Sequence, residues 1–191
     1  MNKIHTRESI KESTKILLWE NGINKTSVID ICNAANISRM SFYREFENKN
    51  EIVNEIISEF YKEAIDLQIS ILNKPIPFLE RINELIYTKI EFIKGMKREL
   101  LKEILHQKNP ELKLLLDKQR QIGLDYLLYQ IKLEQKKGNF RKELNLEFIM
   151  YYINKITEFM FDPELIRIYP DTSELIREIN KVFYFGILER N

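Results

Sequence analysis

The sequence predicts an all-α protein of about nine helices, a small N-terminal three-helix domain followed by a larger helical domain. Three observations point there. Only five glycines and five prolines interrupt 191 residues, and the stretches between them are rich in Leu, Ile, Glu and Lys. Apolar residues recur at three- and four-residue steps, and no period-2 strand pattern of useful length occurs. Hydrophobic residues make up 44% of the chain and charged ones 31%, enough for a sizeable core under a solvated surface.

The stretch TRESIKESTKILLWENGI reads as a first helix. Ile10, Thr14, Leu17 and Leu18 fall on one face, and Gly22 follows the last turn as a left-handed cap. Thr26 or Ser27 can cap a short second helix whose inward face is Val28, Ile31, Cys32 and Ala35. Asn36 stands where the chain must turn sharply, and Asn tolerates positive φ. Ile37 plugs the turn, and Ser38 can cap a third helix running to about Phe46. Asn48 and Glu51 have capping-box spacing at the start of a fourth helix that continues to about Leu72.

Pro75 and Pro77 then break the chain. Helices are expected from about Phe78 to Lys94 and from about Met96 to His106. Pro110 opens a long helix to about Lys137, with Leu112, Leu115, Leu116, Ile122, Tyr126, Leu127 and Ile131 inward. An aromatic-rich helix follows from about Leu146 to Phe161. The stretch DPELIRIYPDTS reads as irregular, and a last helix spans about Glu174 to Leu188.

Composition narrows the function classes. No apolar run approaches the ~20 residues a spanning helix needs, and the N-terminus has no apolar signal core, so a cytoplasmic protein without a membrane partner is expected. The single cysteine, Cys32, excludes an intrachain disulfide and fits a reducing compartment. Net charge is +1, split as +2 over residues 1–50 and −1 over the rest. A polyanion would therefore have to be recognised by the placement of charges rather than by their sum.

The three N-terminal helices have the lengths and spacing of a helix-turn-helix preceded by a packing helix. At 100° per residue, Phe42 and Phe46 share the inner face of the third helix. Arg44 projects nearly opposite, between Met40 and Ser41, with Tyr43 on the flank. Such a face suits the major groove of double-stranded DNA. Arg39, Met40, Ser41 and Arg44 are the expected base readers: arginine pairs with guanine, serine with several edges, and methionine with thymine methyls. Thr26, Ser38, Tyr43 and Lys49 are the expected phosphate contacts, with Lys3, His5 and Arg7 as a mobile arm.

The run from Ile10 to Val53 resembles the N-terminal domain of the TetR family of bacterial transcriptional regulators. The matching positions are Ile10, Leu17, Gly22, Thr26, Ile31, Cys32, Ala35, Asn36, Ile37, Ser38, Ser41, Phe42, Tyr43, Phe46 and Lys49. Cys32 stands where the family usually has Ala, Asn36 where it has Gly, and Met40 where it has Gly, Ala or Pro. The resemblance implies a DNA-binding domain over residues 1–48 and an effector-binding and dimerisation domain over 49–191. It also implies a small-molecule effector, unidentified by the sequence, in a pocket of the second domain that Tyr87, Phe92, Tyr126, Tyr129, Phe148 and Tyr152 are candidates to line.

The last two helices carry more apolar surface than edge helices require. Ile149, Ile153, Ile156, Ile179, Val182, Phe183 and Gly186 are the expected face of a two-fold homodimer, as the resemblance also implies. The combined expectation is a ligand-responsive repressor on a pseudo-palindromic operator; the alternative is a helical protein–protein adaptor without sequence preference for DNA. No cofactor, metal or catalytic set is expected. Glu103 and His106 have the Glu-x-x-His spacing of di-iron bundles, but such sites need a second pair, and the only other histidine is His5.

Overall fold

A computed structural model describes residues 3–187, which form ten α-helices and one 3-10 helix. They are α1 (Lys3–Asn21), α2 (Val28–Ala34), α3 (Arg39–Glu45), α4 (Lys49–Leu72), α5 (Phe78–Phe92), α6 (Arg98–Leu105), α7 (Pro110–Lys137), α8 (Leu146–Ile156), α9 (Pro163–Ile168) and α10 (Thr172–Ile187), with the 3-10 helix at Thr157–Phe161. The described chain is all-helical, as expected. None of its helices is long and apolar enough to cross a membrane. By contacts the chain divides into two compact units, one of residues up to Lys62 with Gly95–Leu116, the other of Glu63–Lys94 with the residues from Asp117 onward.

In the first unit, Ile10, Thr14 and Leu18 lie on one stripe of α1 and are fully buried; Thr14 can be buried because its hydroxyl donates to the Ile10 carbonyl at 2.7 Å. Gly22 ends the helix with φ +83°, and a Cβ there would sit 2.8 Å from the Glu103 carboxylate. The backbone conformation favours glycine, since a Cβ is penalised at this φ whatever the space around it. Ser27 caps α2 in a capping box with Asp30. The turn to α3 is a Schellman motif: Ile37 N–H donates to the Cys32 carbonyl at 2.9 Å and Asn36 N–H to Asn33 at 3.2 Å, with Asn36 at φ +51°. Asn48 accepts from the Glu51 amide at 3.1 Å, but the Glu51 carboxylate reaches back to the Glu47 amide, one residue beyond a true capping box. Lys97 N–H donates to the Trp19 carbonyl at 3.1 Å, tying the start of α6 to α1.

In the second unit, Ile71, Leu72, Phe78, Ile82, Leu85, Leu127, Ile131 and Phe140 belong to one apolar cluster. Beside it lies a buried polar network. The Arg81 guanidinium packs over Phe78 and donates to the Leu72 carbonyl at 2.7 Å, Glu134 at 2.9 Å and Gln130 at 3.4 Å. Glu134 also accepts from Lys137 and Asn139. Burial pushes this carboxyl up, but the bonds from Asn139, Lys137 and Arg81 outweigh it and hold Glu134 below the ordinary glutamate range.

The structure departs from expectation in three places. Leu115 and Ile122 are exposed, and Gly123 takes the inward position instead. A Cβ at Gly123 would meet Ile65 Cδ1 at 2.5 Å, so α4 and α7 approach where glycine lets them. The helix begun at Leu146 turns to 3-10 at Thr157. The supposedly irregular segment contains α9, with Asp162 accepting from the amides of Glu164 and Leu165 and Pro163 in its first turn. The expected end of the last helix, Leu188, lies outside the described residues.

Candidate nucleic-acid interface

α3 is held from behind and open in front. Phe42 is 0% and Phe46 1% exposed, their rings 5.7 Å apart. Outward, Met40 is 84% exposed and Tyr43 55%, while Arg39 and Arg44 are also exposed and Ser41 is half-buried. Tyr43 meets Phe42 edge-on at 5.3 Å, which fixes its ring while the phenol stays in solvent. Arg44 Nε donates to Glu45 at 3.2 Å, and that acid, 8% exposed, is the charged residue the sequence reading did not place inward. Ser38 caps α3 by accepting from the Ser41 amide at 3.1 Å, and the two hydroxyls lie 3.0 Å apart. The four expected readers therefore share one helix, with Arg39, Met40 and Arg44 exposed.

The expected phosphate contacts are placed less uniformly. Thr26 departs from expectation: it is 2% exposed and its hydroxyl donates to the Gly22 carbonyl at 2.8 Å, so this hydroxyl faces the protein. The N-terminus of α2 already has an anion beside its cap. The Ser27 hydroxyl and amide bond the Asp30 carboxylate at 2.6 and 2.8 Å and hold Asp30 below its usual range. Lys49 donates to the carbonyls of Ile23 and Thr26, each at 2.9 Å. An ammonium has three donors, so these bonds leave one. Arg7 is no mobile arm: it packs over Phe46 and bonds Glu45, Glu51 and Glu55. The side chains of Lys3 and His5 lie outside the described residues.

Elsewhere in this unit, Glu103 turns out to serve the backbone, accepting from the amides of Ile23 and Asn24 at the turn after α1. Among the described residues no group of three or more His, Cys, Asp or Glu is placed to hold a metal ion.

The aromatics expected around an effector are scattered. Tyr87, Tyr129 and Phe148 are exposed; Phe92, Tyr126 and Tyr152 are half-buried. Tyr126 neighbours Tyr129 at 6.2 Å and bonds Asn73 and Gln130, while Tyr152 stacks on Phe183 at 5.9 Å. The sequence reading did not single out two polar groups here: half-buried Lys89, whose ammonium burial pushes down to about 8, and Tyr184, whose phenol burial pushes up.

Of the seven residues expected at a subunit interface, Ile149, Ile156 and Phe183 are buried in the cluster of their own chain, with Ile153 and Ile179 packed against it. A side chain already out of water has little left to bury against a partner. Val182 and Gly186 are exposed. Phe148 and Tyr151 on α8 and Phe185 on α10 are exposed as well, residues the expectation did not assign to this face.

Comparison with known proteins places these features. The family model described as "Bacterial regulatory proteins, tetR family" matches residues 10–56, the stretch from α1 into α4. An Escherichia coli (strain K12) protein named the probable acrEF/envCD operon repressor is 28% identical over 108 residues, 54% of this chain and 49% of that one. The match thus spans about half the length of that relative. The HTH-type transcriptional repressor BepR of Brucella suis is 26% identical over 151 residues, 74% of this chain and 72% of that one. Among solved structures, a TetR-family transcriptional regulator from Agrobacterium tumefaciens superposes with a TM-score of 0.79 at 18% identity, covering 98% of this chain and 100% of the other. That likeness establishes the fold.

Proposed function

This chain belongs to the TetR family of bacterial regulatory proteins, a family of regulators rather than enzymes, and from that we propose that it is a homodimeric transcriptional repressor of double-stranded DNA. The observation that carries the reading is α3: Phe42 and Phe46 are buried behind it while Arg39, Met40 and Arg44 stand in solvent along its outer face. Residues 1–48 form the DNA-binding domain and residues 49–191 the effector-binding and dimerisation domain. Arg39, Met40, Ser41 and Arg44 read bases; with Nε held by Glu45, the amino groups of Arg44 form the fork that suits guanine. Tyr43 and the remaining donor of Lys49 take phosphates, and Ser38 lies at the helix start beside them. The protein works in the cytoplasm, where its operator is.

The dimer forms through α8 and α10, where Phe148, Tyr151, Val182, Phe185 and Gly186 are the exposed part of the expected face. An effector in the second domain shifts α4, whose first residue is Lys49, and so changes the separation of the two α3 helices. Such coupling is typically ~1–3 kcal/mol and reciprocal, so DNA weakens effector binding by the same factor.

Binding measured by fluorescence anisotropy on an operator and its single-base variants tests the assignment. Arg44→Ala should relax preference at one base position by ~1–3 kcal/mol. Tyr43→Phe and Lys49→Ala should weaken binding to all variants alike, with Lys49→Ala lowering the salt slope by ~1. Wild-type protein that binds selected and random duplexes equally at moderate salt would make the chain an adaptor instead.

A further inference from the structure

Among the described side chains of α1, Arg7 is the cation that reaches three other structural features at once. Its guanidinium donates through Nη1 to the carbonyl of Glu45, the last residue of α3. Through Nη2 it pairs with Glu55 and, at 3.5 Å, with Glu51, both on α4. Its Cζ lies over the Phe46 ring, 4.0 Å from the centroid, at the residue where α3 ends in extended conformation. One helical turn along both helices, Lys11 pairs with Glu59 at 2.6 Å, so α1 and α4 are joined by a short ladder of basic and acidic residues. A cation at the C-terminal carbonyl of a helix is favoured by the helix dipole, and a planar fork fixes orientation as a point charge cannot.

We propose that Arg7 is a positioning residue for base recognition: it sets the angle at which α3 leaves the domain and thereby aims Arg39, Met40 and Arg44 into the groove, without itself touching DNA. The inference rests on α3 being the DNA reader. The arrangement explains why a basic residue near the N-terminus is turned away from a polyanion: two acids of α4 and the α3 carbonyl hold it. It also places the restraint at the Glu45 end of α3, beside Arg44 and a full helix length from Arg39 and Met40, whose tips a small change in angle displaces most.

The test uses the full-length chain with Arg7→Met, Arg7→Lys and Glu55→Gln, titrated against a selected operator, a point-mutated operator and a random duplex, at temperatures well below each variant's melting point. Arg7→Met removes a positive charge and Glu55→Gln a negative one, so pure electrostatics moves their affinities in opposite directions. Positioning predicts that both lower the ratio of operator to random-duplex affinity, Arg7→Met by ~10-fold or more, a loss comparable to one mismatched base pair. Arg7→Lys should recover part of the ratio, and the salt slope should stay at the wild-type value. Opposite shifts in the two variants, an equal loss on operator and random DNA, a slope reduced by ~1, or an unchanged ratio would each overturn the proposal. Failure of the wild-type protein to prefer its operator would instead refute α3 as a DNA reader.

Discussion

Asn36 shows how much one residue decides in this chain. It adopts φ +51° so that the amides of Asn36 and Ile37 can close the end of α2, and the direction of α3 follows from that closure. A residue with a plain Cβ is penalised there, so Asn36→Ala should lower stability by ~1 kcal/mol in chemical denaturation, while Asn36→Gly should be close to neutral. This position was legible from sequence because the demand is local: a short polar residue between two short helices. Thr26 was not. Its hydroxyl sits at the right place in the sequence for a phosphate, yet it donates to Gly22 and is shut inside, an outcome set by how α1 ends rather than by spacing. Arg7 was misread for the same reason. Its partners are 38 to 48 residues away, where no periodicity points.

Helix limits were legible where caps and breakers are explicit, as at Gly22, Ser27, Ser38 and Pro110. α9 was missed although Asp162 and Pro163 are a cap and a first-turn proline, because six residues carry too little periodicity to read. On α7 the periodicity was clear and still assigned Leu115 and Ile122 inward, since it ignores glycine; Gly123 takes that place because close approach to Ile65 favours the smallest residue. The elements of the second unit are fastened by Arg81, which joins the end of α4 to α5 and α7. Without Arg81, buried Glu134 keeps only Lys137 and Asn139 and the Leu72 carbonyl loses its donor, so Arg81→Met should cost ~3 kcal/mol, and adding Glu134→Leu should restore part of it. The sign with pH follows from the lowered carboxyl of Glu134. Its stabilisation is present above the unfolded glutamate value and is lost as pH falls through the folded one. Calorimetric melting should show less acid sensitivity in Glu134→Gln than in wild type.

At the scale of the whole molecule, the fold class was legible, whereas which residues of α8 and α10 are left exposed for a partner was not. The apolar stripes of α8 and α10 were visible, but most of each stripe serves the chain's own core, and the sequence does not say which residues are left over. Exposure makes the division: Val182 is 66% and Phe185 53% exposed, while Phe183 between them in register is buried. Val182→Glu and Phe185→Glu should each shift sedimentation from dimer to monomer without lowering the helical content; unchanged sedimentation would move the interface elsewhere. A monomer would hold a single α3, so operator affinity should fall steeply with either change.

In vitro selection of binding sites from random duplexes with the purified full-length protein decides whether two copies of α3 read one operator. The expected result is enrichment of a pseudo-palindrome whose half-sites are separated by one helical turn, ~34 Å or slightly more, with A·T pairs opposite the apolar Met40. Enrichment of a single unpaired half-site would contradict the dimeric reader, and no enrichment over random sequence would contradict DNA recognition itself.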